Sequence, residues 1–142
     1  MILELPYPPS VNTYYRSIGR GRVIISKRGR EYRESVIAAI ARKTGGLGQM
    51  FDQAITVEIT LYPPDKRRRD IDNTLKGLLD SLTHARIWAD DSLIKRLAIE
   101  MYEPVAGGSA LVEIHSRLPQ PAVGQITPAA KRAQLPPDVL GQ

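Results

Sequence analysis

The chain has 142 residues, a formal net charge of +5, 42% hydrophobic residues and no cysteine. This length is typical of a single domain that buries a core without staples, and the lack of cysteine excludes disulfide frameworks, thiol catalysis and cysteine-rich zinc sites. The chain does not start like a secretory signal, and no apolar run approaches the roughly 20 residues that cross a membrane, so we expect a cytoplasmic protein with no membrane association.

The first half of the chain predicts two short strands and one long helix. A strand is expected at 2–5, where prolines follow, and another at 23–25. Apolar residues recur at helical spacing from about 29 to 43, and Gly45 can end that helix.

The second half predicts three strands and a helix. Strict alternation at 55–61 is typical of a half-buried strand, and a leucine stripe at 73–84 indicates an amphipathic helix. Two more strands are expected at 97–101 and 111–118, joined as a hairpin by the loop 103–109. The order of elements predicts a small mixed α+β domain with two main helices on a largely antiparallel sheet.

The end of the chain has a different composition from the rest. Five of the 11 prolines lie in the last 24 residues. We therefore interpret 1–118 as the folded domain and 119–142 as a Pro-rich, flexible tail.

Two acidic residues, Asp70 and Asp72, stand between the strand at 55–61 and the helix at 73–84. In an extended segment both carboxylates would point to one side and Ile71 into the core. Their repulsion would be relieved by a divalent cation, and oxygen ligands suit Mg²⁺. The alternative is helix capping, which explains one aspartate but not two that follow the basic run 66–69.

Lys76 lies four residues after Asp72, on the same face of the predicted helix. It forms either an ordinary surface ion pair or a positive charge that neutralises a phosphate in a transition state. Asp80, a further turn along, is interpreted as solvated surface.

Two further acidic residues, Asp90 and Asp91, follow Trp88 in a predicted turn. Aspartates are common in turns, and Trp88 is expected to pack in the core. Because Mg²⁺ takes carboxylates from more than one segment, Asp90 or Asp91 is the best partner available for the first pair.

Basic residues are concentrated in two stretches. The stretch 16–33 contains seven lysine or arginine residues and only one acidic residue, and it follows two adjacent tyrosines. The stretch 66–69 consists of four basic residues. This pattern favours binding to a nucleic-acid backbone over a merely solvated surface. The nucleic-acid-binding candidates are Arg16, Lys27, Arg67, Arg68 and Arg69.

Three motifs together resemble the RusA family of Holliday junction resolvases, the crossover junction endodeoxyribonucleases. The motifs are Leu5 to Asn12 with Tyr14 to Arg16, Pro64 to Asn73 with Lys76, and Trp88 to Asp91. The resemblance covers about residues 1–118, and the middle motif is the most specific one.

The resemblance implies a homodimer of bacterial or phage origin that cuts four-way DNA junctions by paired symmetric nicks, in recombination and repair. It implies a Mg²⁺ requirement, with Mn²⁺ as a substitute, and no organic cofactor. It places the family's acidic, metal-binding triad on Asp70, Asp72 and Asp91 and its essential lysine on Lys76. The alternatives are a non-catalytic nucleic-acid-binding module and a metal-dependent nuclease for forks, flaps or RNA hybrids.

Overall fold

The computed structural model describes residues 1–46, 48 and 50–117, so the predicted tail at 119–142 lies outside the described residues. No helix in these ranges is long and apolar enough to span a bilayer. In chain order the elements are β1 (Ile2–Leu5), α1 (Val11–Tyr14), β2 (Tyr15–Ser17), β3 (Val23–Ile25), α2 (Lys27–Thr44), β4 (Ile55–Tyr62), α3 (Asp72–His84), a 3₁₀ turn (Asp91–Leu93), β5 (Ile94–Met101) and β6 (Ser109–Ser116).

Four of the strands form one mixed sheet in the order β1-β6-β4-β5. The pairs β1–β6 and β6–β4 are antiparallel, whereas β4 and β5 are parallel. Parallel neighbours need a long crossover, and α3 provides it. This confirms the predicted fold class, with α2 and α3 as the two main helices.

The predicted hairpin between the last two strands is wrong. β5 and β6 lie on opposite sides of β4 and do not pair with each other. After β5 the chain continues along the end of β4, where the Tyr102 amide donates to the Leu61 carbonyl at 2.8 Å and the Val105 amide to the Pro63 carbonyl at 2.9 Å. The connection at 103–109 is long enough to pass this strand end, about 10 Å across two strand spacings.

The core lies between the sheet and the two main helices. Alternate residues of β4 are buried, as the sequence pattern predicts, and they meet Leu78 and Leu82 of α3 and Val36 and Ile40 of α2. The prediction that Trp88 packs in the core is confirmed, since the residue is 1% exposed and its indole N–H donates to the Thr83 hydroxyl at 2.7 Å.

A second, two-stranded sheet was only half predicted. The expected strand at 23–25 pairs antiparallel with β2, which follows directly from the short helix α1. This β2–β3 hairpin is fastened to the body through Ser26, whose hydroxyl accepts from the Gly29 amide and donates to the Thr13 carbonyl. The hairpin thereby leaves Arg16, on β2, and Arg20 and Arg22, in the loop 18–22, exposed at the surface.

Candidate active site

The segment from β4 to α3 begins with a turn that is stabilised by contacts between Asp65 and two arginines of the same turn. The Asp65 carboxylate accepts from the Arg67 amide at 2.9 Å and from the Arg69 guanidinium at 2.8 Å. The hydrogen bond from Arg69, followed by that from Arg67, lowers the pKa of Asp65 from 3.8 to about 2. The Arg69 guanidinium also lies over the Tyr7 ring, 5.7 Å from its centroid.

The Asp70–Asp72 segment is helical rather than extended. Ile71 has φ −56° and ψ −45° and is 36% exposed, so the prediction that it points into the core is wrong. The extended geometry fails because α3 begins at Asp72, so the backbone has already turned into the helix at Ile71.

Neither aspartate of this pair acts as a side-chain helix cap. The residue at the cap position is Ile71, and no side chain makes a capping hydrogen bond there. The first-turn contact is made by backbone instead, where the Asn73 amide donates to the Asp70 carbonyl at 3.2 Å. The Asp70 and Asp72 carboxylates are therefore not used for capping α3.

Lys76 is paired with Asp80, not with Asp72. Its ammonium lies 3.3 Å from Asp80 Oδ2 and 5.6 Å from the centroid of the Tyr15 ring. The Tyr15 hydroxyl donates to the same carboxylate oxygen. A tyrosine from the basic hairpin and an aspartate from α3 thus hold the ammonium of Lys76 between them.

The interpretation of Asp80 as solvated surface is wrong. Its side chain is only 25% exposed. Burial, and then the neighbouring charge of Asp91, raise the pKa of this carboxyl. Sequence reasoning missed Asp80 and Tyr15 as site residues, although the spacing of Asp80 four residues after Lys76 was a visible signal.

The turn after α3 separates Asp90 from Asp91. Asp90 caps the 3₁₀ turn, where its carboxylate accepts from the Ser92 amide at 2.8 Å, and hydrogen bonding to Ser92 lowers its pKa. Asp91 has no such contact in the described part of the chain, and its charge acts on Asp80. Asp90 therefore has a structural contact of its own, whereas the Asp91 carboxylate, without such a contact in residues 50–117, lies near enough to Asp80 of α3 to act on its charge.

Six aspartates lie between positions 65 and 91, and they divide into two sets. Within residues 50–117, three are engaged by hydrogen bonds or ion pairs: Asp65, Asp80 and Asp90. In the same range the other three carboxylates make no such contact: Asp70, Asp72 and Asp91. The free set is the predicted metal-binding triad.

The free carboxylates suit a hard divalent cation, since all their donor atoms are oxygens and no basic side chain of the described residues neutralises them. Their ligand atoms do not all lie within 4.8 Å of one another. In the described ranges, the acidic or histidine group with ligand atoms within 4.8 Å of one another is Glu58, Glu113 and His115, on the uncovered face of the sheet. The fit of the triad to a metal ion therefore rests on its oxygen donors and on their lack of other partners in residues 50–117.

The predicted nucleic-acid-binding residues fall into two groups. Arg16 lies on β2, and Lys27, at the start of α2, is paired with Glu31 at 3.8 Å. Arg67 and Arg68 are exposed in the loop before α3, whereas Arg69 is half-buried and held by Asp65. The second group therefore directly precedes Asp70 in the chain, whereas the first lies on the hairpin and at the start of α2.

Comparison with known proteins adds a family assignment to this geometry. The family model described as "Endodeoxyribonuclease RusA" matches residues 6–115. A protein of Enterobacteria phage HK97 named "Crossover junction endodeoxyribonuclease rusA" is 39% identical over 110 residues, which cover 78% of this chain and 89% of the relative. Proteins of the same name from Shigella sonnei (strain Ss046) and Escherichia coli (strain K12) are 37% and 36% identical over 106 residues, covering 75% of this chain and 86% of each relative.

Proposed function

The chain belongs to the RusA family of endodeoxyribonucleases, and we propose that it resolves four-way (Holliday) DNA junctions by hydrolysing phosphodiester bonds, in recombination and repair. The observation that carries this proposal is the division of the aspartates. The carboxylates of Asp70, Asp72 and Asp91 make no hydrogen bond or ion pair within residues 50–117, while the aspartates around them are engaged. Acidic groups left free beside a basic surface suit a nuclease better than a simple binding module.

The metal in this proposal is Mg²⁺, with Mn²⁺ as a substitute, held by Asp70, Asp72 and Asp91. When bound, such an ion activates water and stabilises charge on the phosphate under attack. The repulsion between the Asp80 and Asp91 carboxylates supports the assignment, because a cation beside them would relieve it.

Lys76 is the residue whose positive charge we assign to the reacting phosphate. Its ammonium is held by the Asp80 carboxylate and the Tyr15 ring. From this position it would hydrogen-bond to a phosphate oxygen and stabilise the charge that develops on it in the transition state. Asp80 and Tyr15 orient the lysine without contacting DNA themselves.

The basic residues would position the DNA through its phosphates. Arg16 and Lys27 approach from the hairpin side, and Arg67 and Arg68 from the loop before α3. Such contacts fix the register of a substrate but carry no base information. Arg69 has a different part, since its guanidinium is engaged by Asp65 and stiffens the turn that carries Asp70.

A homodimer fits the symmetry of the substrate. A four-way junction has near two-fold symmetry, and its resolution needs two matched cuts, which a C₂ dimer presents as two equivalent sites. We propose this assembly for the active protein. A substrate of chromosomal or phage DNA would place it in the cytoplasm of a bacterial cell.

The test is to replace one free carboxylate and to measure cleavage of a mobile four-way junction in Mg²⁺. Asp70→Asn is expected to abolish cutting while junction binding persists, because the arginines remain and one repulsive charge is removed. The matched control is Asp52→Asn, the same change at an exposed aspartate outside this region. Undiminished cutting by Asp70→Asn would refute the assignment.

Two further measurements separate the alternatives. A non-catalytic module predicts no heat of site-specific Mg²⁺ or Mn²⁺ binding in calorimetry, whereas the nuclease predicts binding that Asp70→Asn weakens. Rates on junction, fork, flap and duplex substrates at one salt concentration separate a junction resolvase from a nuclease with another preference. Salt must be constant, because phosphate-driven affinity falls steeply with it.

A further inference from the structure

A cavity of about 620 Å³ opens directly beside Asp70. Its walls come from four separate parts of the chain: the segment from β1 to α1, the first turn of α2, the segment from β4 into α3, and Gly107 between β5 and β6. The volume is within the range of sites that hold a small molecule or one nucleotide, roughly 300–1,000 Å³. Of the three residues assigned to metal binding, only Asp70 lines this cavity. The proposed metal site therefore does not account for the rest of the cavity.

The walls have two chemical characters. One side is apolar, formed by the Tyr7 ring with Pro9 and Pro64. The other side carries Arg28, Arg68 and Asn73, whose side chains have no hydrogen-bond partner within residues 1–46 and 50–117. An apolar wall opposite cationic and amide donors suits a ligand that is flat and apolar at one end and anionic at the other.

Tyr7 is not fixed by its hydroxyl. Its oxygen is the buried side-chain polar atom without a hydrogen-bond partner in the described ranges. The ring is positioned instead by the Arg69 guanidinium above it. An aromatic ring whose hydroxyl makes no hydrogen bond is a suitable platform for stacking a base, since every base offers a π-face.

We propose that this cavity takes one unstacked nucleotide of the DNA strand that is being cut, next to the bond hydrolysed at Asp70. Its base lies against Tyr7 and Pro9, and Arg28 and Arg68 bind its phosphates. Asn73 is placed to hydrogen-bond to the base edge, as amides do in direct readout. The cost of unstacking is smaller where stacking is already interrupted, as at the point of strand exchange of an open four-way junction. This inference rests on the proposed function and names the part of the substrate that the site holds.

The test uses junctions that carry a single 2-aminopurine, a base whose fluorescence rises when it leaves the stack. The label is moved through each position near the crossover, and fluorescence is read without divalent metal, so that no cutting occurs. Binding of the unaltered protein is expected to raise the fluorescence at one position by about threefold or more, with little change at its neighbours.

Two variants close or weaken the cavity. Ser10→Trp fills it from a residue whose hydroxyl contacts Thr13 at an exposed position, and Arg28→Gln removes a phosphate ligand. Both are expected to remove most of the rise while the junction is still bound. The matched control is Arg42→Gln, the same loss of charge in the last turn of α2, about 20 Å along the helix from Arg28.

The outcomes separate this inference from the function on which it rests. The inference is overturned if no position brightens, or if both cavity variants brighten the junction as the unaltered protein does. In either case a protein that still cuts junctions in Mg²⁺ keeps its proposed function. Loss of the rise in Ser10→Trp and Arg28→Gln, but not in Arg42→Gln, supports the cavity as the nucleotide site.

Discussion

The hydroxyl of Tyr15 donates a hydrogen bond to the carboxylate of Asp80, which joins the basic hairpin to α3 across 65 positions of sequence. The same carboxylate oxygen accepts the ammonium of Lys76 at 3.3 Å, and the Tyr15 ring lies under that ammonium. The lysine assigned to phosphate stabilisation is therefore held from two sides. A DNA strand that moves the hairpin would also move the support of Lys76.

Asp80→Asn is expected to slow junction cleavage by about tenfold, because Lys76 loses its anionic partner and its fixed position. Junction affinity should stay equal or rise slightly, since a negative charge near the DNA is removed. Single-turnover rates and binding curves measured on the same variant check this split. A fall in affinity with an unchanged rate would contradict it.

The control for this prediction is the analogous helical pair on α2. Lys27 and Glu31 have the same four-residue spacing but are 3.8 Å apart and largely exposed. Exposed pairs of this kind contribute about 0.3–0.5 kcal/mol, so Glu31→Gln should leave the cleavage rate within about twofold. Equal losses in Asp80→Asn and Glu31→Gln would show that the contact with Lys76 is not special.

Asp90 and Asp91 are expected to differ although they are adjacent. Asp90→Ala removes the cap of the 3₁₀ turn and should lower the free energy of unfolding by about 0.5–1 kcal/mol, with cleavage retained. Asp91→Asn should abolish cleavage and leave stability equal or higher, because its repulsion of Asp80 disappears. Denaturant unfolding and cleavage assays on both variants measure this; loss of activity in both would give the two residues a shared role.

The Asp65–Arg69 contact predicts a pH dependence of stability. The hydrogen bond from Arg69 lowers the folded pKa of Asp65 from 3.8 to about 2, so the unfolded chain takes up a proton first as the pH falls. The stabilisation is fully present above about pH 4 and is lost as the pH falls towards about 2. Between about pH 5 and pH 2.5, the free energy of unfolding should therefore fall further in the unaltered protein than in Asp65→Asn. Parallel declines would contradict the prediction.

Gly29 is expected to tolerate no side chain. A Cβ there would lie 2.4 Å from the Tyr14 carbonyl oxygen and 2.8 Å from Ile25 Cγ2, and the carbonyl belongs to backbone that cannot easily move. Gly29→Ala should therefore destabilise the protein by about 1–3 kcal/mol, despite the higher helix propensity of alanine.

The control is Gly46→Ala, because a Cβ at Gly46 meets no atom of the described residues within 4 Å. Its effect on the free energy of unfolding should stay within about 0.5 kcal/mol. Thermal or urea unfolding of the two variants gives the comparison. A neutral Gly29→Ala would show that the hairpin and α2 are not packed as closely as described.

Local patterns were enough to predict most of the elements. The alternation at 55–61 and the leucine stripe of α3 each report which face is buried, because burial acts on side chains at the period of the backbone. The missing elements, α1 and β2, are too short to display a period. The incorrect prediction of a hairpin between β5 and β6 has a different cause. Hydrophobic alternation indicates a strand but not which strand pairs with it.

The sequence by itself determined the chemistry that the chain can carry: acidic residues set beside basic stretches, the strand and helix that frame them, and the motifs of a nuclease family. Only the tertiary structure decided which acid does what. Asp65, Asp80 and Asp90 look like Asp70, Asp72 and Asp91 along the chain, and they differ only in the partners that folding brings to them. Those partners act through hydrogen bonds and charges a few ångströms away, and Tyr15 reaches Asp80 only because the hairpin folds back onto α3.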